Sequence, residues 1–281
     1  MSSSDNRFLK SSRRCIVLKI MIDKAPSGTI TTETPGGASL SLLKDRDLSS
    51  YVAVGSSLKV CVDLGSNDVP VNCIALFGLS SDMLGGRIEI IKHVDIPVAG
   101  DWPATGSYTY SFDIYGDRVY CPLPEIGYDA TNKNFYRYYL CLITPGATTA
   151  PTMSELAIGL TEAPCFNYQW GRTHQQGCQI EAQRTVAGIE YRHQRNAIYK
   201  NDFEIQWESM SEQGIYQVRR WWSDVGGGLY PVVLIPDDNR IGDKCYYSYL
   251  PKDVAEVERF CDQRGFGLQL SEAIGYEAGT A

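Results

Sequence analysis

Histidine is scarce in this chain. The three residues, His93, His174 and His193, are widely separated, and none stands at i, i+4 from another. That leaves no His-rich metal site and no obvious general base with a partner. The nine cysteines never form a C-x-x-C pair, which excludes zinc ribbons and thioredoxin-like redox motifs. There is no G-x-S-x-G elbow, no H-E-x-x-H and no G-x-x-x-x-G-K-[ST]. Long apolar runs are missing too. The first, Cys15-Ile16-Val17-Leu18, is cut by Lys19 and is too short for a secretory h-region or a bilayer span. Basic residues are in deficit, 26 against 33 acidic, for a net charge of −7. A dedicated nucleic-acid binder would show a basic face instead.

What is present is 281 residues, 43% of them hydrophobic, with eighteen tyrosines against eight phenylalanines. Tyrosine carries a large apolar body and a hydroxyl that can meet water, so it suits strands and subunit contacts. The cysteine count is odd, and most cysteines sit in apolar contexts such as Lys59-Val60-Cys61-Val62 and Tyr139-Leu140-Cys141-Leu142. Buried reduced thiols are the expectation, with folding in a reducing cytoplasm.

Residues 1–39 are polar and punctuated by Pro and Gly. The basic start (Arg7, Lys10, Arg13, Arg14) reads as an arm, with one strand at Cys15–Ile22. From 40 to 160, short β-branched or aromatic runs alternate with turns. They include Leu58–Leu64, Val71–Gly78, Arg87–Ile91, Arg118–Cys121 and Phe135–Leu142. No long helical pattern intervenes, which is the signature of an antiparallel β-sandwich or jelly roll. Residues 161–281 read as a β-rich α+β domain. Gly188–His193 and Asp202–Trp207 alternate as strands, with a turn expected at Asn196–Asn201. Two helices are expected. One is capped by Ser211 and ended by Gly226-Gly227-Gly228; the other opens with the capping-box form Asp253-Val254-Ala255-Glu256 and stops near Gly265. Pro231–Pro236 and Cys245–Leu250 are further strands.

Several residues invite a functional reading beside a plainer one. His193, in a charged segment, reads as an exposed strand-end residue rather than a base. Asp237-Asp238-Asn239 with Asp243, and Asp45 with Asp47, offer oxygen ligands for a hard cation, yet lack the glycine and terminal Glu of an EF-hand loop. Acidic turns are the simpler account. Trp221-Trp222, with Trp102, Trp170 and Trp207, could form a sugar platform. On a helix adjacent residues point about 100° apart, so Trp222 is expected in the core with Ile215 and Val218, and Trp221 on a second surface.

The order of segments resembles the galactose-binding-like jelly rolls of tailed-bacteriophage structural proteins. Asp63-Leu64-Gly65 is similar to their strand end, and Val71-Asn72-Cys73-Ile74-Ala75-Leu76-Phe77-Gly78-Leu79 to the strand that follows. Ser80 stands where that pattern has asparagine. Phe135–Leu142 and Met153–Gly159 are similar to their last strands, and Gly188-Ile189-Glu190-Tyr191, Phe203–Trp207 and Pro231–Asp237 to the later part of such proteins. The resemblance implies a minor tail or baseplate component of distal-tail type, located in the virion and assembled in the host cytoplasm. Its partners would be copies of itself and neighbouring tail proteins. It implies no catalysis, and no nucleic acid or membrane partner. The alternative is a carbohydrate-binding module that aids attachment to a host surface glycan. No catalytic, cofactor-binding or metal residue is assigned.

Overall fold

The computed structural model describes residues 18–23, 29–32, 40–65, 70–93, 110–123, 128–129, 134–163, 173–184, 190–236, 245–252, 256–260 and 263–273. The protein is mainly β. In chain order the first strands are Lys19–Asp23 (β1), Thr29–Thr32 (β2), Val52–Ala53 (β3), Leu58–Asp63 (β4) and Cys73–Phe77 (β5). Next come Arg87–His93 (β6), Tyr110–Asp113 (β7), Arg118–Pro122 (β8), Tyr128–Asp129 (β9) and Asn134–Phe135 (β10). Tyr138–Thr144 (β11), Thr152–Met153 (β12) and Glu155–Glu162 (β13) follow. The remainder contains Thr173–Arg184 (β14), Glu190–Met210 (β15), the helix Glu212–Asp224 (α1), Pro231–Ile235 (β16), Tyr246–Tyr249 (β17), Glu256–Phe260 (β18) and Gln263–Glu272 (β19).

Two sheets form a β-sandwich. A five-stranded antiparallel sheet, β2-β4-β11-β6-β7, faces the β13-β5-β8 end of a ten-stranded one. Alternation decides which residues meet between them. Val60, Val62, Ile88, Ile90, Tyr139, Cys141 and Ile143 of the smaller sheet pack on Ile74, Leu76, Val119, Cys121, Leu156 and Ile158 of the larger. The expected runs at 58–64, 71–78, 87–91, 118–121 and 135–142 therefore supply the sandwich core.

The large sheet runs β14-β15-β19-β17-β16-β1-β13-β5-β8, with β18 beside β19. Strand β1 is its joint: Met21 pairs with Thr161 of β13 on one side and with Val233 of β16 on the other. Gly159 permits that closeness, because a Cβ there would stand 2.3 Å from the Ile22 carbonyl oxygen. Beside the sandwich, on the same face, α1 covers the second core. Ile215, Val218 and Trp221 pack on Ile20, Phe203, Ile205, Trp207, Val232, Leu234, Leu268 and Leu270.

The opposite face closes on itself. Phe77 and Tyr247 stack with ring centroids 5.0 Å apart, although β13, β1 and β16 lie between their strands. In a flat sheet four strand steps would separate them by about 19 Å. The sheet is therefore coiled around a third core that contains Met21, Cys73, Ala75, Tyr120, Ala157, Val233 and Cys245. Arg118 at the β8 edge ties the coil shut. It donates to the Cys245 carbonyl at 3.3 Å and to the Glu272 carboxylate, with its guanidinium 5.0 Å from the Tyr246 ring.

Three local expectations fail, each because a distant partner overrides a local signal. The second helix is absent. Glu256–Phe260 is strand β18, paired with β19, because a ladder partner outweighs a capping-box pattern in a short segment. No turn forms at Asn196–Asn201. β15 continues to Met210 since β14 pairs with it on both sides of a register break between Cys178 and Ile180. The two tryptophans exchange roles. Trp221 is buried because its indole N–H finds Glu162 Oε2 at 2.8 Å, while Trp222 is half-buried and donates to the Pro251 carbonyl at 3.0 Å.

Candidate functional site

Two side-chain clusters among the described residues go beyond ordinary packing. The first sits where the Lys44–Ser50 loop meets the coiled face of the large sheet. Lys44 Nζ bridges both oxygens of Asp23, at 2.9 and 2.8 Å, with both side chains almost fully buried. Beside them Glu155 is fully buried. Its Oε2 accepts the Arg46 backbone N–H at 2.9 Å, and its Oε1 has no hydrogen-bond partner among the described residues. Arg46 adopts a left-handed φ of 63°, uncommon for a side chain with a Cβ. That geometry aims its N–H at Glu155 while its guanidinium lies 3.8 Å over the Tyr230 ring.

The electrostatics follow from burial. Loss of water pushes the Glu155 carboxyl up to about 9; Lys44 opposes the rise, and Asp23 adds to it. Glu155 is thus a neutral acid at pH 7. Burial likewise raises the Tyr247 phenol, with Glu155 and Asp23 reinforcing it. A protonated carboxyl closed off from solvent has no route to a substrate, so this cluster holds the loop to the sheet. The neighbouring acids serve the loop itself. Asp45 accepts the Asp47 N–H and the Ser50 hydroxyl, and Asp47 accepts the Ser49 N–H and hydroxyl, all at 2.6–2.9 Å. These bonds make Asx turns.

The second cluster is open. At one end of the sandwich the Leu84–Gly86 loop pairs with the segment after β7, through Gly85 N–H to the Ile114 carbonyl and Ile114 N–H to the Gly86 carbonyl. Next to it the β6–β7 ladder sets Arg87 opposite Asp113, and Tyr115 follows on the same exposed rim. Arg87 Nε donates to Asp113 Oδ1 at 3.1 Å, and the Tyr115 hydroxyl donates to Oδ2 at 3.2 Å. Tyr115 is 72% exposed, and Leu84 at the start of the loop is 47% exposed. An aromatic face next to a carboxylate and a guanidinium offers apolar stacking plus acceptors and donors. Nothing in the sequence marked this group. Tyr115 is one tyrosine among eighteen, and Arg87 meets Asp113 only because β6 and β7 pair in the register that sets them opposite each other.

The residues singled out from the sequence are dispersed. His174 stands opposite Phe203, and His193 opposite Glu181, in the β14–β15 pair. Trp207 is core. Trp102, Trp170, Asp237-Asp238-Asn239 and Asp243 lie outside the described residues. Gly226, Gly227 and Gly228, with φ of 63°, 70° and 81°, end α1 as the sequence suggests. Cys61, Cys73, Cys121, Cys141 and Cys245 are buried, and burial raises the Cys61 thiol to about 11. Among the described residues no group of three His, Cys, Asp or Glu could hold a metal ion, and no helix is long and apolar enough to cross a membrane.

No family model matches this chain. No curated protein matches it either. Among solved structures it is similar to chitosan-binding module 1 of a chitosanase/glucanase from Paenibacillus sp. IK-5. That pair shares 17% identity over 49% of this chain and 98% of that one, with a TM-score of 0.33. A fucose-binding module from Streptococcus pneumoniae aligns at 9% identity over 50% and 98% of the two chains, TM-score 0.31. The lectin-binding domain of Lectinolysin, complexed with Lewis b, aligns at 10% identity over 49% and 94%, TM-score 0.33. With likenesses this distant, the sandwich described above rests on its own strands and core.

Proposed function

We propose that this chain is a non-catalytic structural subunit that works by joining copies of itself and neighbouring proteins, as the phage tail and baseplate resemblance implies. The observation that supports it most is the end of the large sheet. Among the described residues that sheet finishes on β14, a twelve-residue strand with no neighbour on its outer side. A long unpaired edge is a template for another chain unless something covers it. The opposite edge, β8, is tied to the Cys245 carbonyl and Glu272 by Arg118. Among the described residues one edge is held by a side chain and the other has no neighbour. The test is the mass of the purified full chain by light scattering, with imaging of virions for its position. Assembly above 31.3 kDa and a place in the particle are expected. A monomer at all concentrations, absent from particles, would end this reading.

A second reading, recognition of a host glycan, is favoured by the Arg87, Asp113 and Tyr115 rim. A sugar ring can lay its apolar face on tyrosine and exchange hydroxyl hydrogen bonds with the charged pair. Glycan-array and calorimetric binding that Tyr115→Ala abolishes, with an unchanged melting temperature, is the result expected of this reading. Absence of binding to any glycan removes it.

A further inference from the structure

We propose that the two-stranded ribbon made by Gly177–Arg184 and Glu190–Lys200 is the element by which one copy of this chain seats on the acidic body of a second copy. The inference rests on the self-assembling subunit proposed above, and it names the contact. The pairing registers define the ribbon. Among the described residues β15 pairs with β19 from Asp202 to Met210, whereas its pairing with β14 extends from Glu204 back to Glu190. Among the described residues the two strands have only each other beyond Asp202, for roughly 25 Å along β14 at 3.4 Å per residue. A two-stranded ribbon is marginal in water on its own. A feature built this long calls for a third surface to lie against.

Charge indicates which surface. Segment 177–200 carries four basic residues, Arg184, Arg192, Arg195 and Lys200, against Glu181 and Glu190. Its formal charge is +2 in a protein of −7, so the remainder stands at −9. The ribbon and the body of another copy are thus complementary, and each copy offers one of each. That arrangement is heterologous and propagates into a ring or a stack. Between Cys178 and Ile180 the register shifts, with extra residues on β15, an irregularity of the kind that bends a strand and increases its twist. The ribbon can therefore turn out of the plane of its own sheet toward a neighbour.

The register also supplies the test. Gln176 pairs with Asn201, so residues 177–200 can be replaced by Asn-Gly, a two-residue turn that closes this hairpin. Phe203, Ile205 and Trp207 keep their places in the second core. The shortened chain is expected to be monomeric by light scattering where the full chain is oligomeric, with tryptophan fluorescence and melting temperature close to the parent. The full-length variant Arg192→Glu/Arg195→Glu, which needs no change of chain length, should likewise fall to monomer. The parent assembly should weaken as salt rises from about 0.05 to 0.5 M. If both variants assemble like the parent, this contact is wrong while self-assembly stands. If the full chain is itself monomeric, self-assembly fails, and the ribbon with it.

Discussion

Replacing Glu155 with glutamine should make the protein more stable as the medium becomes alkaline, and the size of the effect follows from where that carboxyl sits. In the folded state burial holds its pKa at about 9, against an ordinary value of 4.5. Below the lower value both folded and unfolded chains carry the proton, and its contribution is complete. As pH rises from 4.5 to about 9 the unfolded chain loses the proton while the folded chain keeps it, so unfolding gains ground at about 1.4 kcal/mol per pH unit. At pH 7 about 3 kcal/mol has gone, and by pH 9 about 6 kcal/mol. Glutamine keeps a carbonyl for the Arg46 N–H and cannot ionise in either state. Urea unfolding of parent and variant across about pH 5–9 measures the difference. The two curves should meet at the acid end and diverge steadily toward the alkaline end. Parallel curves, or a parent whose stability is flat over that range, would refute the reasoning, because the native carboxyl would then ionise like an exposed one.

Other substitutions probe the joints of the large sheet. Gly159→Ala drives a methyl into the Ile22 carbonyl oxygen. β1 must shift off β13, and a loss of about 1–3 kcal/mol is expected in thermal or urea unfolding. Glu162→Gln tests how α1 is held, since one carboxylate oxygen accepts from Arg220, from Trp221 Nε1 at 2.8 Å and from Gln217 at 3.4 Å. With the charge removed, about 1–3 kcal/mol should be lost, and the buried Trp221 should shift its fluorescence to the red.

The strands of the sandwich are legible because alternation and turn residues are local. Leu58–Leu64 and Phe135–Leu142 announce themselves, and they become β4 and β11, paired from Tyr138↔Asp63 to Ile143↔Leu58. Helix α1 is legible for the same reason: Ser211 accepts the Gly214 N–H at 3.2 Å at its start. What stays hidden is set by partners far along the chain. Glu155 reads as one charged residue in a strand until Arg46, more than a hundred residues earlier, donates to it. Trp221 is chosen over its neighbour for the core because Glu162 waits on β13. The segment at 253–260 carries helix-opening residues and becomes a strand because β19 is beside it. The Arg87, Asp113 and Tyr115 rim belongs to this class too, since β6 and β7 must pair in register before Arg87 stands opposite Asp113.

Strand β1 also bears on how the molecule is made. Its slot lies between β13 and β16, so Met21 waits for Thr161 and then for Val233 to be synthesised. At 5–20 residues per second, the ribosome keeps the first strand without its second neighbour for roughly ten seconds or more. Over about the last 70 residues of that interval, roughly 4–14 s, β13 is present and β1 and β13 can pair with an unfinished edge exposed. Contacts this distant in sequence make folding slow, and an unfinished edge invites the wrong strand. The coil that gives the finished protein its third core therefore closes last, and the chain is most open to mispairing just before Pro231–Ile235 leaves the ribosome.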